Sequence, residues 1–225
     1  MHITIERSLS AETVEEFLPV YQESFVHLAE LSAAKQVLED EEYRRLMRSP
    51  RTLKFCGWDV GDDLVAMALM THDIALVPWA SIPFYARHWP ERVDTDHLAY
   101  LLTILVKADR RGEPWMSNII EVLALHSAER DVLMIFDCCQ FNVDVVDVPT
   151  MIKELGSRNS KISTELIDFQ HYYAYRAQDV GLYDLNSIDQ GGVIDLRVPD
   201  LLPEVIDLRE DPSPVHIEQR KGVRP

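Results

Sequence analysis

Apolar and polar positions alternate with different periods along the chain, and the clearest pattern lies in residues 97–139. Leu98–Val106 is a continuous apolar run of strand length. The polar stretch Lys107-Ala108-Asp109-Arg110-Arg111-Gly112-Glu113 ends it as a turn. Pro114 then opens a helix, because its missing N–H would have no acceptor at that position anyway. Trp115, Ile119, Val122 and Leu123 recur at three- and four-residue steps, the spacing of one helix face. A second apolar run, 132–136, follows. Strand, turn, helix and strand in that order predict two parallel strands joined by a helix. The N-terminus of this helix lies beside two arginines, where unpaired N–H groups and the helix dipole attract anions. It is either a phosphate site or an ordinary strand-to-helix connection.

Upstream, residues 2–6 read as a short first strand, and Ser10 is placed to cap a helix whose early acids suit the dipole. Val14, Phe17, Leu18, Tyr21, Phe25 and Leu28 form its apolar face, with Pro19 as a kink or as the true start. A second helix is expected over about 33–47, stopped by Ser49-Pro50. Segments 53–60 and 64–71 read as a hairpin around Gly61-Asp62-Asp63. Residues 74–95 carry Pro78, Pro83 and Pro90 among large aromatic groups, too many prolines for a central strand. They read as a loop or short helix, walling a pocket or pinned to the core. Downstream, 149–155 reads as a short helix ended by Gly156, and 166–169 and 171–176 as two strands. The pattern fades from about residue 179, and 218–225 is expected to be disordered.

Composition narrows the function. The formal net charge of −16 opposes a nucleic-acid binder and an anionic membrane surface, and suits solubility or a cationic partner. No apolar run reaches the length of a membrane span, and the first residues lack the pattern of a secretory signal, so a cytoplasmic location is expected. Cys56 stands alone and Cys138-Cys139 are adjacent, which fits neither a disulfide framework nor a zinc site.

The element order, the turn after the fourth strand and the late Tyr172-Tyr173-Ala174-Tyr175-Arg176 run together resemble the GNAT superfamily of CoA-dependent N-acyltransferases. The resemblance covers 1–177, with 178–225 as a C-terminal extension that wraps over the body or packs on another subunit to give a homodimer. It implies an α/β fold with a central mixed, mostly antiparallel sheet that splays between strands 4 and 5. It also implies acetyl-CoA or another acyl-CoA as co-substrate, held in the splay with its pyrophosphate at the turn. By this resemblance Val106, Arg110, Arg111, Gly112, Glu113, Trp115 and Asn142 are the expected cofactor-binding residues. The acceptor would be an amine of a small molecule or protein. The sequence departs from the family's turn pattern at Asp109 and Pro114, and Ile152 stands where the family often has a tyrosine acid. These departures motivate a second expectation, a GNAT-like protein without catalysis that acts as a binding or scaffolding partner. A third is an acyltransferase with a carrier protein as donor, which the acidic surface opposes.

His97 and Tyr100 are the expected catalytic candidates near the fourth strand, with Asp96, His72 and Asp73 beside them. Cys138 is a further candidate: a cysteine in the splay acts as an acyl-accepting nucleophile if its thiolate is stabilised. Otherwise it is a small buried apolar group.

Overall fold

The computed structural model describes residues 2–158 and 162–174. The chain divides into two compact units, Met1–Tyr172 and Tyr173–Pro225. The C-terminal extension expected from residue 178, with its docking role and disordered end, lies outside the described residues. The first unit carries the sheet, its helices and the candidate site.

Five strands form one sheet in sequence order: β1 (His2–Glu6), β2 (Thr52–Trp58), β3 (Leu64–Thr71), β4 (Leu98–Val106) and β5 (Leu133–Ile135). Neighbours pair antiparallel from β1 to β4, and β4 pairs parallel with β5. The helices are α1 (Ala11–Phe25), α2 (Leu28–Leu31), α3 (Asp40–Arg48), α4 (Ile82–His88), α5 (Pro90–Asp94), α6 (Trp115–Glu129) and α7 (Val148–Gly156).

β3 is buried along its whole length because helices cover both faces of the sheet. Side chains alternate between faces along a strand. Ala66, Ala68 and Met70 share a core with Trp115, Ile119 and Leu123 of α6 and Ile152 of α7. Met67 and Leu69 share the other core with Phe17 and Tyr21 of α1 and Tyr43 and Leu46 of α3. The α6 layer lies close on β2 at Gly57. A Cβ there would stand 2.9 Å from Trp115 Cε3, so only glycine fits.

Three expectations change. α1 begins where Ser10 caps it, its Oγ accepting from Thr13 N–H at 3.0 Å, so Pro19 lies inside the helix rather than at its start. The second helix begins at Asp40 rather than near residue 33. Leu38 N–H donates to the buried Tyr21 hydroxyl at 2.8 Å, and a reciprocal Glu39–Glu42 capping box starts α3 immediately afterwards. Residues 166–169 and the described part of 171–176 form no strand, and Leu166, Phe169, Tyr172 and Tyr173 are exposed. Their local β pattern finds no ladder partner among the described residues. The proline-rich segment 74–95 becomes a 3-10 turn (Ile74–Leu76) followed by α4 and α5. It brings Trp79, Phe84, Tyr85 and Trp89 into one cluster with Tyr100 of β4.

Candidate active site

The sheet forks at its last strand pair. β5 accompanies β4 only from Leu98↔Leu133 to Tyr100↔Ile135. β4 continues to Val106 while the chain after Ile135 leaves it, so among the described residues the second half of β4 has no strand partner on this edge. On its other side β4 remains paired with β3, and the register shifts between Leu69 and Met70, so that Leu102 is an extra, bulged residue. Lys107 N–H donates to the Val65 carbonyl at 2.8 Å. Antiparallel alternation then turns the N–H groups of Ile104 and Val106 toward the open edge. Thr103 Oγ1, buried at the bulge, has no hydrogen-bond partner among the described residues.

A cleft of about 280 Å³ lies along this edge. Ile104, Leu105 and Val106 form one wall, Ser24 and Phe25 of α1 a second, and Met116 of α6 a third. Arg111, Gly112 and Glu113 of the turn close one end. Of the expected cofactor residues, Val106, Arg111, Gly112 and Glu113 therefore line one site. Arg110 does not. Its guanidinium is fixed by both carboxylate oxygens of Glu113 (2.8 and 3.0 Å) and by Asp59. These partners hold its pKa above the usual arginine value, and backbone and arginine hydrogen bonds hold Asp59 and Glu113 below the usual carboxylate range. Trp115 is fully buried in the core, and its Nε1–H donates to Glu113 at 3.0 Å. Arg110 and Trp115 thus build the turn rather than line the cleft. Asn142 opens a π-helical turn (Asn142–Val146) and is not among the residues lining the cleft.

The turn binds much of its own backbone. The N–H groups of Arg110, Arg111 and Glu113 donate to the carbonyls of Lys107, Ala108 and Arg110, and Pro114 has none to offer. Gly112, at φ +94°, takes the positive-φ conformation that closes the loop. What remains for an anion is the first turn of α6, whose N–H groups lack intrahelical acceptors, and the Arg111 side chain. Arg111 is exposed and makes no ion pair among the described residues. An extended apolar arm with amide groups fits the β4 edge, and a phosphate fits the Arg111 end, though the turn's own donors are largely occupied.

At the fork itself, Tyr100 is buried, and its hydroxyl donates to Asp137 Oδ1 at 2.6 Å. Trp79 Nε1–H donates to the same oxygen at 3.0 Å, and Gln36 Nε2 donates to Asp137 Oδ2 at 3.0 Å. Burial and the Asp137 charge push the Tyr100 phenol far above its ordinary pKa. Asp137 and Gln36 were not anticipated as site residues, and Trp79 only as one of the aromatics of 74–95 that wall a pocket or pin to the core. The position of Asp137, immediately after the apolar run of β5, was a signal, because polar groups at strand ends often carry function. His97 stands at the far end of β4 from the cleft, half-exposed, with Nδ1 3.8 Å from Asp131. At ~3.3 Å per residue that is roughly 30 Å from Val106. The Cys138 thiol is pushed up to about 12 by burial and the neighbouring Asp137, which disfavours a thiolate at neutral pH. Among the described residues no group of three His, Cys, Asp or Glu side chains could hold a metal ion, and no helix is long and apolar enough to cross a membrane.

Strand order, the parallel β4–β5 pair and the open fork between them make this a GNAT-like fold. No protein-family model matches the chain, and no curated protein does. Solved structures do. A probable acetyltransferase is 13% identical with a TM-score of 0.47, over 80% of this chain and 100% of its own. An aminoglycoside acetyltransferase from an uncultured soil metagenomic sample, in complex with sisomicin, is 12% identical with a TM-score of 0.44, over 77% and 97%. The ribosomal-protein-S18-alanine N-acetyltransferase from Escherichia coli is 14% identical with a TM-score of 0.43, over 67% and 76%.

Proposed function

We propose that the protein is an N-acyltransferase that moves an acyl group from acyl-CoA to an amine. The observation that carries this reading is the β4 edge, which has no strand partner among the described residues between the fork at Tyr100 and the turn, with a cleft along its Ile104–Val106 end. The outward N–H groups of Ile104 and Val106 suit the amides of a pantetheine arm laid beside the strand as if it were another strand. From Val106 to Leu102 is roughly 13 Å at ~3.3 Å per residue, which carries an extended arm from the turn to the bulge. The bulge re-aims the backbone where a thioester carbonyl would need an N–H donor as charge develops on its oxygen. Arg111, the α6 N-terminus and Gly112 take the phosphate end.

The test is calorimetric titration of the full chain with CoA and acetyl-CoA at two salt concentrations. Saturable binding that weakens with salt is expected. Arg111→Glu is expected to weaken it roughly 10–100-fold, because a charge-assisted contact worth about 1.5–3 kcal/mol is lost and a repulsion added. Unchanged affinity in the variant would remove the turn from the cofactor site. A folded wild type that binds neither ligand would sink the acyl-CoA reading and leave a partner-binding role.

A further inference from the structure

We propose that the acceptor is a cationic amine and that Asp137 is the carboxylate that receives it; this specifies the acceptor half of the acyltransferase reading above and rests on it. The position comes first. Asp137 is fixed to Tyr100, two residues before the bulged Leu102, where β4 and β5 part. An acyl group carried along the open edge ends at this point. An amine held by Asp137 is therefore beside the fork, on the β4 side away from the turn that carries Arg111.

The chemistry of the carboxylate points the same way. Its three donors, a phenol, an indole and a carboxamide, are all neutral. They orient the group and hydrogen-bond its charged form, but none cancels its charge. Among the described residues Asp137 has no Lys, Arg or His partner, although it is exposed. A carboxylate has about four acceptor positions. Oδ1 takes two donors and Oδ2 one, so Oδ2 retains a position for an incoming N–H. The Tyr100 phenol, held protonated by burial and by Asp137, remains a donor to Oδ1 and leaves the open position on Oδ2 to the ligand.

The surroundings suit a cation as well. Trp79, Phe84, Tyr85 and Trp89 share one cluster with Tyr100, and aromatic faces attract cations. Asp137 and then Asp168 add negative potential at Tyr85, whose pKa is raised chiefly by burial. Among the described residues the turn offers an arginine without an ion-pair partner, and the fork a carboxylate without a cationic one. That polarity matches an anionic donor entering at one end and a cationic acceptor at the other.

In the reaction the bound ammonium first loses one proton to water. The neutral nitrogen then forms the C–N bond as the thioester C–S bond breaks. The second nitrogen proton passes to the departing thiolate, giving amide and free thiol.

The test titrates 1,4-diaminobutane, with aniline as an uncharged comparator, into the full wild-type chain and into Asp137→Asn. Binding is read by calorimetry with and without CoA, and the unfolding midpoint of the variant is checked. The asparagine keeps an oxygen for Trp79 and Tyr100. The wild type is expected to bind the diamine at least tenfold more tightly than the variant and to show no such difference for aniline, with CoA affinity equal in both proteins. Equal diamine affinity, or none in the wild type, overturns the Asp137 assignment even if CoA binds. Diamine binding that depends on Asp137 in a protein that never binds CoA or acetyl-CoA keeps the cation site and overturns the acyltransferase reading.

Discussion

Trp115→Ala is expected to lower the unfolding free energy by about 3–5 kcal/mol, the range for deleting a buried aromatic side chain. Trp115 is fully buried at the start of α6 and sits in the core that joins α6 and α7 to the sheet. Its ring lies over Gly57 of β2, and its indole N–H holds Glu113, which in turn holds Arg110 against Asp59. The substitution therefore opens a cavity and frees the turn that closes the cleft. Trp115→Phe separates the two effects: most of the packing stays, and the lost hydrogen bond is expected to cost about 1 kcal/mol. A double-mutant cycle sharpens the argument. Gly57→Ala in the wild type forces a methyl against the indole and is expected to cost about 1–3 kcal/mol. In the Trp115→Ala background the same methyl enters vacated space, so that cost should vanish or reverse. Denaturant unfolding of the four proteins measures the coupling. Additive effects, or a Trp115→Ala loss under 1 kcal/mol, would mean that the α6–β2 contact is not tight.

The same residue shows how far the sequence alone reaches. β4 and α6 are visible in the pattern because their signals are local: an apolar run, a proline at a helix start, and a stripe at helical spacing. Trp115 is the first position of that stripe and belonged with the core. Its place among the cofactor residues rests on the resemblance at the turn, whereas the periodicity of α6 places it in the core. Arg110 is hidden from the sequence for a different reason. Its position in a basic turn suggests a phosphate ligand, but its charge is satisfied by Asp59, which is far off in sequence and near only because the β2–β3 hairpin ends beside the turn. The fork cluster is assembled from residues 36, 79, 100 and 137, four segments whose meeting depends on sheet register and on how 74–95 folds back. No local pattern encodes that meeting. Residues 166–169 and 171–174 depart in the opposite direction: their β propensity is plain, but a strand exists only where a partner edge meets it.

Lys54→Met is expected to lose stability relative to wild type as pH rises from 7 to 10, by an amount on the order of 3 kcal/mol when titration is complete. Lys54 lies in β2 with no exposed surface, and its Nζ donates to the carbonyls of Arg7 and Ser49, each at 2.9 Å. No carboxylate pairs with it among the described residues, so burial disfavours the charged form and lowers the pKa from 10.5 to about 8. Between those two values the unfolded chain holds more protons at this residue than the folded one, so Lys54 makes stability rise with pH. Below about 8 the ammonium is charged in both states and its burial cost is present in full. Cys56 acts in the opposite sense. Burial pushes its thiol up to about 12, so the unfolded chain loses that proton first and stability falls above about pH 8.5. The wild-type curve mixes the two, whereas the difference between wild type and Lys54→Met reports chiefly the lysine, since Cys56 remains in both and burial outweighs the Lys54 charge in raising its pKa. The two carbonyls lose their donor equally at every pH, so this part of the substitution shifts the difference without sloping it. Denaturant unfolding of both proteins at pH 7 and pH 10 supplies the comparison. A difference that does not change with pH would mean that Lys54 titrates as it does in water, and that solvent or a counter-charge reaches a side chain the structure encloses.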